Sequence, residues 1–108
     1  MKVVFLAGAE EDLKELRHYV VRSFGKQAWL ETFQRIKDSV RALQDYPLSG
    51  PIPDELVDLG LRQYRQVVSS MNRIIYEITE EVIYIHIVCD TRRDMRTLLS
   101  RRLLRMVP

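Results

Sequence analysis

Hydrophobic positions change their period several times along the chain, and each change marks a new element. The apolar run Val3 to Ala7 is dense enough for a buried strand, and the acids Glu10, Glu11 and Asp12 follow at once. From Ala9 to Phe24 the residues Leu13, Leu16, Val20 and Phe24 fall at helical spacing, with acids in the first turn that suit the positive end of the helix dipole. Gly25 stops this helix. Trp29, Phe33, Ile36, Val40 and Leu43 then repeat at helical intervals, with Arg35, Lys37, Asp38 and Arg41 on the other side, until Tyr46-Pro47 ends a second helix. With only about one or two residues between them, the helices must fold back as an antiparallel hairpin that shares one core. Core packing is the first reading of Trp29 and Phe33.

Pro47, Gly50, Pro51 and Pro53 punctuate a connection that runs to Gly60 with neither helical nor strand periodicity. Leu61 to Val68, Arg73 to Ile78 and Val82 to Cys89 are rich in Val, Ile and Tyr. They are separated by the polar segments Ser69-Ser70-Met71-Asn72 and Thr79-Glu80-Glu81, the pattern of a three-stranded antiparallel meander. After Asp90-Thr91, helical spacing returns at Met95, Leu98, Leu99, Leu103 and Met106 with arginines between them, a short basic amphipathic helix. The order β-α-α-β-β-β-α predicts an α+β fold, with a meander sheet and an N-terminal helical hairpin packed on one face. At 108 residues, the chain is expected to form a single domain over residues 1–108.

Composition narrows the class. With 46% hydrophobic and 30% charged residues, the chain is neither disordered nor a membrane protein, and no apolar run approaches a bilayer span. Val3 to Ala7 is also too short for a signal-peptide core. A lone Cys89 makes no internal disulfide, and no Cys or His cluster has metal-ligand spacing. The expectation is a soluble cytoplasmic protein that uses no metal and no cofactor. There is no Ser/His/Asp set and no Gly-rich phosphate loop, which removes most enzyme classes. Glu80 and Glu81 read as solvated turn residues, His18 as part of a solvated helix face, and His86 as a structural mid-strand histidine on the face of Val82 and Tyr84. Cys89 reads as a small apolar residue, whose thiol would be acidified if it met Arg92 and Arg93.

Charge adds the main clue. Residues 1–60 carry eight Lys/Arg against ten Asp/Glu, whereas residues 61–108 carry nine against five, and all nine cations there are arginine. Arginine forks onto carboxylates and phosphates, so an anionic partner fits this half. Arg62 and Arg65 are assigned to the first meander strand, Arg73 opens the second, Arg92 and Arg93 follow the third, and Arg96 begins the tail. In a meander, Arg73 and the Arg92 region lie near one end of adjacent strands. Such a set holds a phosphodiester and stabilises transition-state charge, holds the acidic side chains of a partner, or forms a solvated rim.

The stretch Arg62-Gln63-Tyr64-Arg65-Gln66-Val67, then Asn72-Arg73-Ile74-Ile75-Tyr76-Glu77-Ile78, then Val82 to Val88 closing on Arg92-Arg93-Asp94, resembles the RelE/ParE toxin superfamily. The Ala9 to Leu16 segment and Tyr46-Pro47-x-x-Gly50 fit the same pattern. The resemblance covers nearly the whole chain and implies the toxic half of a type II toxin-antitoxin system, a class associated with plasmid stabilisation. Its ribonuclease branch cuts messenger RNA on the ribosome, and Arg73 and Arg92 match two of its arginine positions. The alternating basic pair of that branch falls here on Tyr64 and Gln66, and Thr97 and Leu98 stand where its tyrosine belongs. Tyr64 or Tyr76 would replace the missing base only with a strongly lowered pKa.

The Arg-Arg-Asp ending and the missing nuclease set resemble the ParE branch, whose members poison DNA gyrase and need no catalytic residue. On this resemblance, Arg62, Arg65, Arg73, Arg92, Arg93 and Arg96 form the binding set. A cognate antitoxin is expected to wrap the helical hairpin and sheet, with Trp29, Phe33 and Arg65 among its contacts. The alternative is a RelE-like, metal-free endoribonuclease acting at the ribosome through Arg73, Arg92 and Tyr64. A third reading is a family member with lost or different activity.

Overall fold

A computed structural model describes residues 1–104. Arg105 and Met106, assigned above to the basic tail, lie outside the described residues. Strand β1 spans Lys2–Phe5, shorter than the apolar run that announces it. The Leu6 amide donates to the Ile85 carbonyl as the last rung, and the Leu6 carbonyl then accepts from Glu10 to begin helix α1, Ala7–Phe24. Only Gly25, at φ 93°, separates α1 from α2, Lys26–Asp45. A positive φ costs glycine little, so the reversal takes one residue. Tyr46 leaves helical backbone at φ −132°, ψ 69°, as a residue before proline tends to do.

The proline-rich connection contains an element that periodicity does not reveal. Pro53 leads into a five-residue helix α3, Asp54–Asp58, with two acids in its first turn and Leu56 fully buried. One turn is too short to establish a period, but Pro-Asp-Glu is a start signal. Strands β2 (Tyr64–Ser69), β3 (Asn72–Thr79) and β4 (Val82–Asp90) form the antiparallel meander, joined by the two-residue loops Ser70-Met71 and Glu80-Glu81. β2 begins three residues after the apolar run does, so Arg62 sits in the preceding turn and not on the strand. β1 pairs parallel to β4, giving the order β1-β4-β3-β2. Helix α4 spans Met95–Leu104, started by Asp94, whose carboxylate accepts from the Arg96 and Thr97 amides and the Thr97 hydroxyl.

Both faces of the sheet are covered. Ile74, Tyr76, Ile83, Ile85 and Val88 pack against Ala9 of α1 and Ile36, Val40 and Leu43 of α2. Tyr64, Ile75, Ile87 and Cys89 face the other way, beneath Leu56 of α3 and Met95, Leu98 and Leu99 of α4. The two sets interleave because β4 carries a bulge: Ile75 pairs with Ile87 and Tyr76 with Ile85, leaving His86 unmatched. Before His86 the odd-numbered isoleucines face the hairpin; after it, Ile87 and Cys89 face α4 and Val88 faces the hairpin. An extra residue reverses the period-two phase, so a strictly alternating reading of this strand misassigns one half of it.

Candidate functional site

The arginines of the C-terminal half are placed by different elements, and most are already engaged. Arg73, at the start of β3, is 9% exposed. Its guanidinium forks onto Glu55 of α3 at 3.0 and 3.2 Å, and its Nε donates to Gln66 of β2 at 2.8 Å. These hydrogen bonds from Arg73 hold the Glu55 carboxyl below its ordinary pKa. Arg92 is exposed and folds back onto Asp90 at 2.9 and 3.0 Å, holding that carboxyl low as well. Arg96 reaches Asp58 at 2.9 Å. Arg65 donates to the Gly50 carbonyl at 2.8 Å and, more weakly, to that of Leu48, tying the proline loop to β2. Arg62 and Arg93 are exposed and form no ion pair among the described residues.

Arg73 and Arg92 share one end of the sheet, since Asn72 pairs with Asp90, but their side chains part. Arg73 turns to α3 on one face, whereas Arg92 lines a cleft of about 420 Å³ on the hairpin side with Tyr19, Phe24 and Met71. The structure does not bring them together as one phosphate-holding pair. Nor is a base prepared beside them. Burial pushes the Tyr64 and Tyr76 hydroxyls above the ordinary tyrosine pKa, opposite to what proton abstraction needs. Tyr76 serves the fold, donating to the Pro47 carbonyl and accepting from the Gly50 amide. Gly50 lies so close that a Cβ there would stand 2.6 Å from the Tyr76 hydroxyl. Cys89 is a buried apolar residue, as its sequence setting suggests, and burial outweighs the nearby Arg73 and Arg93, pushing its thiol up to about 11 in place of the conditional acidification by Arg92 and Arg93.

Two polar groupings lie where sequence spacing gives no hint. His86, in the bulge, bonds through Nε2 to Glu77 at 2.9 Å and meets the Tyr64 ring edge-on at 5.1 Å. Tyr64 and His86 lie in a cleft of about 660 Å³ between α1 and α4, whose rim carries Glu11, Glu15, Arg93 and Arg101. In the same cleft, Arg102 of α4 pairs with Asp12 of α1. These partners are nine to ninety positions apart and carry no local motif.

The expected antitoxin contacts occupy different settings. Trp29 is 8% exposed and stacks on Phe33 at 5.3 Å, with Lys37 over the Phe33 ring. Phe24 and Leu30 of the hairpin are exposed, as are Leu48, Val68 and Met71 outside it. No helix among the described residues is long and apolar enough to cross a membrane.

A family model described as the ParE toxin of the type II toxin-antitoxin system parDE matches residues 3–95. No curated protein matches. Among solved structures, one described as the chromosomal ParDE TA system from P. aeruginosa superposes with a TM-score of 0.70 at 17% identity, covering 83% of this chain and 95% of that one.

Proposed function

Because the chain belongs to the ParE toxin family of type II toxin-antitoxin systems, we propose that it acts by binding and poisoning DNA gyrase, and that a cognate antitoxin neutralises it. The observation that carries this reading is the family match over residues 3–95. The geometry supports binding over catalysis. Arg73 is engaged by Glu55 and Gln66, Arg92 lies on the opposite side of the sheet, and neither tyrosine is acidified. A poison needs no prepared base, because its effect is an affinity for one state of its target.

Arg62 and Arg93 are the open cations of the proposed binding set. Arg92 and Arg96 join them, because solvent-exposed ion pairs exchange readily for a partner's acids. Arg65 and Arg73 act from beneath, holding the proline loop and α3 in position. A gyrase target implies action in the cytoplasm. The antitoxin covers the hairpin around Phe33 and the stacked Trp29, taking its apolar contact from Phe24 and Leu30, and extends toward Arg65 at the sheet edge.

One observation favours the second reading, messenger RNA cleavage at the ribosome. His86, bonded to Glu77, shares a cleft with Tyr64 and with Arg93, Arg101 and Arg102, and an imidazole held by a carboxylate is a group that moves protons without a metal. Induction in cells separates the two. The gyrase reading expects DNA damage before any fall in translation, unchanged toxicity in His86→Gln, and weakened toxicity in Arg93→Glu. Early translational arrest that His86→Gln abolishes would instead establish the ribonuclease.

A further inference from the structure

We propose that Asp12 and Arg102 form a latch that holds α4 on the sheet, that Gly8 is the slot the latch closes through, and that α4 opens as a unit when the latch is broken. The device follows from the bulge. β1 ends at Phe5 opposite Ile85, so beyond that point this edge of β4 has no strand beside it. The backbone groups there still require partners. The Val88 amide donates to the Asp12 carboxylate at 2.9 Å, and the His86 carbonyl accepts from the Arg102 guanidinium at 3.1 Å. Asp12 and Arg102 then pair with each other. One ion pair therefore joins three elements and completes the broken edge.

Gly8 is a second, independent mark of this arrangement. It lies one turn before Asp12 on the same face of α1. It has no positive φ that would call for glycine, yet a Cβ there would stand 2.6 Å from an Arg102 guanidinium nitrogen. The missing side chain is the space the guanidinium occupies.

Among the described residues of α4, Met95, Leu98 and Leu99 are the buried apolar side chains, and the other ion pair, Arg96 with Asp58, is exposed. Short elements with few buried contacts open below the cost of global unfolding. Release of α4 would uncover Ile75, Ile87 and Cys89 and free the Arg102 guanidinium.

Cys89 supplies a native reporter, being the sole cysteine and lying in the apolar cluster that α4 covers. Alkylation of the full chain by N-ethylmaleimide is measured alongside amide exchange at Leu99 in α4 and at Ile74 in β3. Gly8→Ala should fold normally, because alanine suits a helix better than glycine and only the mobile end of Arg102 must shift. It should nonetheless raise the Cys89 rate at least about tenfold and speed exchange at Leu99, with Ile74 protection unchanged. Asp12→Asn and Arg102→Met should act in the same direction, and adding Arg102→Met to Gly8→Ala should produce little further increase. Wild-type Cys89 rates in folded Gly8→Ala would overturn the latch. So would a simultaneous loss of protection at Leu99 and Ile74, which would make the pair an ordinary part of one cooperative fold.

Discussion

Both faces of the sheet are covered by apolar side chains, but ion pairs fasten the covering elements mainly on the α3/α4 side. On one, the helices α1 and α2, joined through a single glycine, lay Ile36, Val40 and Leu43 onto Ile74, Tyr76, Ile83 and Ile85. On the other, one turn of α3 and the short α4 lay Leu56, Met95, Leu98 and Leu99 onto Tyr64, Ile75 and Ile87, and are fastened in addition by Glu55–Arg73, Asp58–Arg96 and Asp12–Arg102. Apolar packing is non-directional and survives changes of salt and pH, whereas ion pairs require their partners to be present and charged. Both faces therefore contribute apolar stability, and on the α3/α4 face charge also helps to set the position of the covering elements.

The largest test of this difference lies in the core. Ile36→Ala should cost about 2–5 kcal/mol and lower the unfolding midpoint of the whole chain, because it leaves a cavity among side chains that cannot close over it. Arg73→Met should cost less, about 1–3 kcal/mol, through the unmatched Glu55 and Gln66, and should loosen α3 without weakening the hairpin. Denaturant unfolding with amide exchange at Leu56 and Ile36 separates the two.

Acid offers a subtler test. The Glu55 carboxyl is held below its ordinary value of 4.5 by Arg73, so the pair contributes fully above that value. The contribution is lost as pH falls through the lowered one. Burial raises the Asp12 pKa, so its charged pairing with Arg102 weakens as pH falls through that raised value. The wild type should accordingly lose anchoring of α3 on acidification, and Glu55→Gln should show a shallower fall in melting temperature between neutral pH and the carboxylate range. An equal fall in both would remove Glu55 from the account. The smallest effect is expected from Arg96→Ala, at most about 1 kcal/mol, because the Asp58 pair is exposed on both sides and screened by salt.

Much of the fold was readable from periodicity, because the residues that define the hairpin face are the ones with a clean period. Trp29, Ile36, Val40 and Leu43 announced α2, and the β-branched runs announced the meander. α3 was not readable, since a single turn has no period, and the bulge at His86 was hidden within a run that is apolar on both faces. The family was legible from ordered short motifs, and the match over residues 3–95 agrees with it. The arginines were legible as a class but not as a site. Whether a guanidinium is open or engaged depends on acids such as Glu55, Asp58 and Asp12, brought to it by tertiary folding.

The central claim, a ParE toxin acting as a gyrase poison, is met most directly by purified components. Supercoiling of relaxed plasmid by DNA gyrase is followed with and without the purified chain, scoring both lost supercoiling and accumulated cleaved DNA. Inhibition together with trapped cleavage, reversed by the cognate antitoxin, is the expected result. Undisturbed supercoiling with no cleaved DNA, at toxin in excess over gyrase, would contradict it.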